Sequence, residues 1–312
     1  MVTVAVVGFQ FGAAVAGILA AQLITAYGWT SVFWAGGILP LALAIVLIFA
    51  LPESMKLLAL RGGADRKIAS ILRRVNRSIP IAQSTKFTAH ESRLSGFAVR
   101  HLFTESRTFG TILLWIIGFM TLINIFFLTS WLPTVIHDAG YSMKNAALVA
   151  TLLQIGAIVG TFLLGWVADR FRPLRVLVCS YIAAGIFIGC IGLSSASIGL
   201  LGAAVFATGF CLLASQNLSQ AVVATFYPTL IRSTGLGWQG GVGRIGSIVG
   251  PFVAGIILSF QWKITSLFFA AVIPAFCAAL ASFLMIKRMP DARQASRSAH
   301  PAPGEGASRP SR

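Results

Sequence analysis

Long apolar runs separated by short polar turns dominate this chain up to about residue 287. Residues 1–52 contain no Asp, Glu, Lys or Arg, which leaves room for two membrane spans of about 20 residues each. The break between them is predicted at residues 26–29, AYGW, because Tyr and Trp collect at the membrane–water interface. Six further spans are predicted at about 109–136, 145–168, 174–194, 198–225, 233–259 and 264–286. The pattern predicts an all-α, polytopic membrane protein with about eight transmembrane helices.

Two polar segments stand apart from the apolar runs. Residues 53–107 hold eleven Lys and Arg against four acids, which is typical of a basic cytoplasmic loop. Within that loop, residues 67–75 (KIASILRRV) have helical periodicity and predict a short amphipathic helix on the membrane surface. Residues 288–312 are rich in Pro, Ser, Ala and Arg with almost no large apolar residue. This tail is predicted to be disordered.

Composition excludes a soluble globular protein. Hydrophobic residues make up 57% of the chain, charged residues 10%, and the mean hydropathy is +0.85, whereas soluble domains are about 25% charged. The net charge of +16 is explained by topology rather than by nucleic acid, since no nucleic-acid-binding module is present. If residue 1 starts inside, the cytoplasmic segments hold twenty-one Lys and Arg and the outside only Lys144 and Lys263. A cytoplasmic C-terminus is therefore predicted.

Enzymatic chemistry has no support in the sequence. The four cysteines, at positions 179, 190, 211 and 277, lie inside apolar spans without metal-ligand spacing, so neither a disulfide framework nor a zinc site is indicated. No cluster of nucleophile, base and metal ligands occurs. We expect no catalytic residue, no bound metal and no cofactor.

One cation lies inside the apolar pattern. Arg244 follows Arg232 by twelve residues, which on one helix places it about 18 Å further along, past the middle of a hydrocarbon layer about 30 Å thick. Charged residues at such depth usually face a cavity, a partner or a substrate. Pairing with a carbonyl or a neighbouring helix, for packing alone, is the alternative. Glycines surround Arg244 on both sides, at positions 235, 237, 240, 241, 243, 246, 250 and 255, and small residues let helices approach closely or let backbone line a cavity.

A charged turn joins the fourth and fifth spans. It reads Gly165-x-x-x-Asp169-Arg170-x-Arg172. Gly165 would permit close helix approach, Asp169 could accept hydrogen bonds, and the two arginines favour a helix C-terminus. Such a cluster could latch two helices in one conformation and release them in another, or it could be an ordinary basic cytoplasmic turn.

Several motifs together resemble the major facilitator superfamily. They are the G-x-x-x-D-R turn, the Leu51-Pro52-Glu53-Ser54 segment that opens the basic loop, and YPTLIRSTGLGW followed by GVGRIGSIVGP. The chain is more narrowly similar to the aromatic acid:proton symporters of that superfamily, and the similarity runs from about residue 1 to 287.

The resemblance implies a partial facilitator fold. Family members have twelve helices in two halves of six, and the eight predicted here correspond to the fifth to twelfth. We therefore expect the last two helices of the N-terminal half at 1–52, the central loop at 53–107, the C-terminal half at 108–287 and the tail at 288–312. The family's first four helices, with its first-helix aspartate motif, have no counterpart, and we expect an N-terminally truncated transporter. None of the eight acids lies in the middle of a span.

The resemblance also implies a substrate site in the C-terminal half. Arg244 would pair with a substrate carboxylate, while Trp238 and Gln239 could stack on an aromatic ring and hydrogen-bond its substituents. The mid-span amides would line a water-filled cavity or join helices, and both alternatives stay open for each of them: Gln216, Asn217, Asn124 and Gln154. Arg232 is expected to act as a gate or anchor at the cytoplasmic end.

The function expected from this sequence is secondary active transport by alternating access in a bacterial inner membrane. The substrate would be an aromatic carboxylate of benzoate or hydroxybenzoate type, taken up with protons. Two alternatives remain: a truncated, transport-inactive fragment, or a transporter of another organic acid or sugar acid. The partners expected are a small organic acid, protons and the lipid bilayer, with no nucleic acid, and the sequence leaves the oligomeric state open.

Overall fold

A computed structural model of the chain describes residues 2–50, 58, 65–75, 99–104, 107–138, 140–194, 197–260 and 264–287. The predicted tail at 288–312 and most of the predicted basic loop lie outside these residues. The chain divides into two compact units. One unit is Ala20–Gly96, and the second consists of Met1–Leu19 together with Phe97–Arg312. The described residues of each unit are helical, with short turns between the helices.

The N-terminal part of the chain begins with two long apolar helices, α1 (Val2–Tyr27) and α2 (Thr30–Ala50). The turn between them lies where the sequence predicted it. Gly28 adopts a φ of 79°, a left-handed conformation that glycine tolerates without steric cost, and the Ser31 hydroxyl donates to the Gly28 carbonyl at 2.6 Å. No residue of α2 is buried, so its apolar surface is available to lipid or to another helix.

A short helix, α3 (Asp65–Val75), lies within the predicted basic loop. Its apolar side chains recur at helical spacing, and Ile68 is buried, while Lys67 and Ser70 are exposed. The amphipathic helix expected from the sequence is therefore present. Its placement on a membrane surface stays a prediction.

The described residues from 99 to 287 form six helical segments of membrane-spanning length. They are α4 (Thr108–Asp138), α5 (Met143–Arg170), α6 (Pro173–Leu193), the rod of α7 (Ile198–Thr208) and α8 (Ala214–Phe226), α9 (Thr229–Ser259) and α10 (Ile264–Ile286). A 3-10 turn at Arg100–Leu102 precedes α4. The predicted spans are confirmed to within a few residues. Residues that favour helix starts lie at the beginnings of two of these helices. The Ser142 hydroxyl caps α5 by accepting a hydrogen bond from the Asn145 backbone amide, and Pro173 is the first residue of α6.

Seven helical segments of the described chain are long and apolar enough to cross a membrane, and α1 adds a shorter apolar stretch, Phe11–Ile24. In the larger unit, α4 packs against α9 and α10, α6 packs against α10, and α5 packs against α7 and the turn that follows it. The core between them is built from fully buried Leu, Ile and aromatic side chains, among them Leu114, Ile117, Tyr181, Ile188 and Phe268. The structure is that of a helical membrane protein, as expected.

The sequence did not predict a π-helical turn at Gly209–Leu213, which joins α7 to α8. Glycines make the packing of this turn against α5 possible: a Cβ at Gly156, Gly160 or Gly209 would collide with backbone of the facing helix. The extra residue of a π turn rotates the helix that follows it. This turn therefore sets the direction of the polar side chains that α8 carries.

Candidate functional site

Helix α9 packs on α4 through a row of glycines. A Cβ at Gly246 or Gly250 would collide with a backbone carbonyl of α4, and one at Gly243 would lie 2.8 Å from the Leu122 side chain. Only glycine permits such an approach without moving one helix. This half of the glycine cluster therefore makes the close helix contact that the sequence predicted.

Three other glycines of α9, Gly237, Gly240 and Gly241, line a different face, which carries Arg244. A Cβ built at Gly237, Gly240 or Gly241 would meet nothing within 4 Å. These glycines precede Arg244 by seven, four and three residues, so they lie on its side of the helix, toward the helix N-terminus. Helical side chains lean toward that end. The Arg244 side chain therefore emerges over a surface that has no side chains of its own.

Arg244 is exposed in this structure. It lies fifteen residues into α9, or about 22 Å along the helix axis, and its side of the helix is not covered by the packed core. Among the residues that the structure describes, no carboxylate forms an ion pair with it. A guanidinium in such a position has its donors available to an anion.

Trp238 borders the same open face. Its indole is 43% exposed and stacks on the Trp115 indole of α4, with ring centroids 5.7 Å apart and planes 19° apart. Phe103 meets Trp115 edge-on at 5.5 Å. Because one face of the Trp238 indole covers Trp115, its open side remains for a further ring.

Gln239 and Asn124 lie in contacts between helices. Gln239 is 2% exposed, and its Nε2 donates to the Ser219 hydroxyl of α8 at 3.3 Å. Asn124 is fully buried. With its amide oriented to satisfy both partners, it donates to the Ala271 carbonyl at 2.8 Å and accepts from the Ala275 amide at 3.1 Å.

The contacts of Asn124 have a structural reason. Pro274, within α10, lacks the N–H that a helix needs at that point, and a neighbouring polar side chain can re-satisfy backbone groups freed in this way. This favours, for both buried amides, the alternative in which they join helices.

The other predicted amides lie on α5 and α8. Asn217 Nδ2 donates to the Thr161 hydroxyl of α5 at 3.0 Å, which ties the two helices together just after the π turn. Gln216 is half-buried, and its Oε1 is enclosed without a hydrogen-bond partner in the described chain. Gln154 is half-buried on α5. Of these three amides, Gln216 is the one with a buried acceptor that has no hydrogen-bond partner among the described residues.

Three polar residues that the sequence did not single out lie at the centre of the larger unit. Thr121 and Tyr181 hydrogen-bond each other at 2.9 Å, and Ser219 accepts from Gln239 Nε2 at 3.3 Å. All three are buried. Tyr181 could have been identified from the sequence as a buried polar residue, since it is the one tyrosine inside the predicted span at 174–194. Serine and threonine carry little signal, because they commonly bond their own helix backbone.

The charged turn between α5 and α6 lies at the helix ends. Asp169, Arg170 and Arg172 are exposed, and the Arg170 guanidinium lies 5.3 Å from the centroid of the Trp166 ring, which is a cation–π contact. A Cβ at Gly165 would meet nothing within 4 Å. The close helix approach expected at Gly165 is therefore not made among the described residues.

Arg232 lies in the first turn of α9, half-buried, with its Nε enclosed and without a hydrogen-bond partner in the described ranges. Beside that turn, the Tyr227 hydroxyl donates to the Thr111 hydroxyl of α4 at 3.0 Å. Burial raises the pKa of the Tyr227 phenol, so it stays a neutral donor. The Tyr227–Thr111 hydrogen bond ties the start of α9 to α4, which is consistent with the prediction that Arg232 anchors this end of the helix.

Acids are few in the described residues, and none lies at the depth of Arg244. Asp138 ends α4, where its carboxylate is 3.6 Å from His137 Nδ1 and both side chains are exposed. Asp169 ends α5. The site at α9 thus offers a cation, an indole and bare glycine backbone, a combination that suits a small aromatic anion.

A family model described as Major Facilitator Superfamily matches residues 1–148 and 114–309 of this chain. A "Gallate transporter" of Pseudomonas putida is 40% identical over 282 residues, which cover 90% of this chain and 62% of that protein. A "4-hydroxybenzoate transporter PcaK" of Pseudomonas aeruginosa is 35% identical, with 91% of this chain and 64% of that protein covered. A "Benzoate transport protein" of Acinetobacter baylyi is 31% identical, with 92% and 61% covered.

The fold has a counterpart among solved structures. The crystal structure of the Escherichia coli fucose:proton symporter FucP matches with a TM-score of 0.57 at 17% identity, covering 86% of this chain and 58% of that one. At that identity the match concerns the fold alone. The present chain spans about three-fifths of the length of the curated relatives that it matches.

Proposed function

The chain belongs to the Major Facilitator Superfamily, a family of membrane transporters and not of enzymes, and we propose that it serves the transport of an aromatic carboxylate across a bacterial inner membrane. The observation that carries this proposal is the position of Arg244, exposed at membrane depth over a face of bare glycines. An intramembrane cation is a functional site by default. Relatives named for gallate, 4-hydroxybenzoate and benzoate supply the substrate class.

The substrate would bind on the open face of α9. Its carboxylate pairs with the Arg244 guanidinium, a charge-assisted contact that a low dielectric strengthens. Its ring lies toward the cytoplasmic side, over Gly237, Gly240 and Gly241, with the Trp238 indole at its edge. Gln216, whose buried Oε1 has no hydrogen-bond partner in the described part of the chain, would take a polar substituent of the ring.

Transport would follow alternating access between two six-helix halves. The helices α4 to α10 correspond to the C-terminal half, 108–287, and residues 1–52 to the last two helices of the other half. The turn carrying Asp169, Arg170 and Arg172 would latch the cytoplasmic side in one conformation, with Gly165 on the helix before it and Arg232 as the anchor of α9. Proton coupling is part of the proposal, and the proton-binding group is not among the acids at the helix ends.

The test is binding of 4-hydroxybenzoate to the purified 312-residue chain in lipid nanodiscs. Arg244→Ala should abolish detectable binding, and Arg244→Lys should weaken it about tenfold or more, because lysine keeps the charge but loses the bidentate geometry. Arg175→Ala, which removes an exposed arginine at the start of α6, is the matched control and should bind normally. Wild-type affinity in correctly inserted Arg244→Ala would refute the site.

Two further measurements separate the alternatives. Competition by benzoate but not by aliphatic acids would support an aromatic substrate, whereas equal competition would favour another organic acid. Uptake of labelled 4-hydroxybenzoate into membrane vesicles, with and without a proton gradient, separates a transporter from a transport-inactive protein. Gradient-dependent uptake supports coupling, and binding without uptake indicates that 312 residues do not complete the transport cycle.

A further inference from the structure

The Trp115 indole on α4 carries a donor that the described fold does not use. Its Nε1 is enclosed and has no hydrogen-bond partner among the described residues. An indole N–H can only donate, and a buried tryptophan usually places this group on an acceptor. Trp131, further along α4, does so, because its Nε1 donates to the Pro251 carbonyl at 3.1 Å. An enclosed donor left without an acceptor costs stability and calls for an explanation.

Trp115 lies directly beneath the side chain that borders the open face of α9. The Trp238 indole stacks on it with ring centroids 5.7 Å apart, and Phe103 meets it edge-on at 5.5 Å. Trp238 itself is 43% exposed. A Cβ at Gly237 or Gly241 would meet nothing within 4 Å, so open space lies on the α9 surface beside Trp238. The indole that covers Trp115 therefore has room to shift.

The depth of Trp115 in the membrane relative to Arg244 follows from the contacts between α4 and α9. A Cβ at Gly118 would lie 3.2 Å from the Gln239 side chain, and the later contacts advance in the same direction along both helices. Trp115 precedes Gly118 by three residues, and Arg244 follows Gln239 by five, so their backbones differ in depth by about 12 Å. The Arg244 side chain leans toward the start of its helix, which shortens this gap to roughly the long axis of a benzoate ring.

Gln216 lies at a different depth from Trp115. Its helix, α8, is joined to α9 by a short turn and runs in the opposite direction, and Ser219 of α8 accepts from Gln239 Nε2 at 3.3 Å. Gln216 precedes Ser219 by three residues, so it lies about 4.5 Å from Gln239 toward Arg244. Trp115 lies on the other side of Gln239. Gln216 is therefore placed for a substituent near the carboxylate, and Trp115 for one at the far end of the ring.

We propose that the Trp115 N–H binds the para hydroxyl of a phenolic carboxylate whose carboxylate pairs with Arg244, and so selects hydroxylated rings. The inference rests on the proposed function, because it needs the carboxylate at Arg244. Binding shifts Trp238 into the open space beside it and uncovers the donor, and the hydroxyl oxygen accepts from Nε1. A substrate with the hydroxyl gains this bond, whereas one without it leaves the donor unpaired.

Three ligands test this role on the full chain in lipid nanodiscs: benzoate, 4-methylbenzoate and 4-hydroxybenzoate. The methyl group is close to the hydroxyl in size but cannot accept a hydrogen bond. The quantity measured is the hydroxyl preference, defined as the dissociation constant of 4-methylbenzoate divided by that of 4-hydroxybenzoate. Trp115→Phe removes the donor. Trp131→Phe is the matched control, because it makes the same change on the same helix at a tryptophan that is bonded to backbone.

We expect a hydroxyl preference of about tenfold in the wild-type chain, corresponding to one hydrogen bond to the substrate. In Trp115→Phe it should fall to about one, and in Trp131→Phe it should match wild type. The smaller ring of Trp115→Phe also loses stacking area against Trp238. That loss weakens all three ligands alike and leaves the preference unchanged, so the measured ratio isolates the N–H group.

Three outcomes would overturn the inference and leave the Arg244 site standing. They are a wild-type chain that binds all three ligands equally, a preference in Trp115→Phe within about twofold of wild type, and an equal loss of preference in Trp131→Phe. If Trp115→Phe does not insert, benzothienylalanine at position 115 replaces the N–H by sulfur at nearly the same ring size and is judged by the same outcomes. Absence of binding of any of the three by the wild-type chain would instead refute the proposed function, and this inference with it.

Discussion

At the scale of single residues, the amides within the apolar helices differ in what their atoms contact. Asn124 and Gln239 are buried and bonded to neighbouring helices, whereas Gln216 retains an acceptor without a partner in the described chain. The sequence identified all of them as polar groups at membrane depth. It could not separate ligands from packing contacts, because that depends on which helix lies opposite each side chain.

Asn124→Ala tests this assignment for the most buried of the amides. The change leaves the Ala271 carbonyl and the Ala275 amide of α10 without the partners they have now, and we expect a loss of about 1–3 kcal/mol in the free energy of unfolding. Binding of 4-hydroxybenzoate by the folded fraction should be unchanged. Thermal unfolding in detergent measures the first effect, with Thr151→Ala, whose hydroxyl bonds its own helix, as control. Lost binding at unchanged stability would instead make Asn124 a ligand.

At the scale of elements, α9 uses one residue type for two purposes. Three of its glycines let the helix touch α4, and three others leave the face around Arg244 bare. In the sequence they form one glycine-rich run, but the helix turns them toward different neighbours. The glycine-rich pattern predicted a close helix contact or a cavity-lining backbone, without showing which role each glycine has.

Gly246→Ala and Gly241→Ala form a matched pair for these two roles. A Cβ at Gly246 collides with the Phe119 carbonyl, so the helices must separate, and we expect a loss of about 1–3 kcal/mol in stability. A Cβ at Gly241 meets open space, so stability should hold or rise slightly through helix propensity. Binding of 4-hydroxybenzoate should weaken in Gly241→Ala, because the methyl group occupies the proposed ring position. Equal stability of the two variants would contradict the division of α9 into two faces.

At the scale of the whole molecule, charge rather than packing sets the orientation in the membrane. Basic residues concentrate in segments that the topology places on one side, and this asymmetry predicts a cytoplasmic C-terminus. We expect alkaline phosphatase fused after Gly140, between α4 and α5, to be active in the periplasm. Green fluorescent protein fused after Lys287 should fluoresce in the cytoplasm. An inactive phosphatase fusion together with a dark fluorescent-protein fusion, both present in the membrane, would reverse the topology.

The membrane-spanning pattern was determined by the sequence itself. Apolar runs of about 20 residues can only be helices in lipid, because every backbone group must be bonded within the segment, and the predicted spans match the helices α4 to α10 closely. The turn at Gly28 was equally visible, because a glycine between two aromatic residues marks it. The G-x-x-x-D-R turn and the glycine-rich segment around Arg244 indicated the Major Facilitator Superfamily, and the comparisons confirm that family.

Tertiary structure alone decided the rotation of each helix and hence the direction of each polar side chain. The π turn at Gly209–Leu213 and the hydrogen bond between Thr121 and Tyr181 depend on contacts between helices far apart in sequence. In an almost uniformly apolar helix, periodicity carries little information about which side faces a neighbour, since lipid and protein interior are both apolar. The sequence therefore located Arg244 at membrane depth, and the packing of α9 on α4 determined that its side chain emerges over bare glycine backbone.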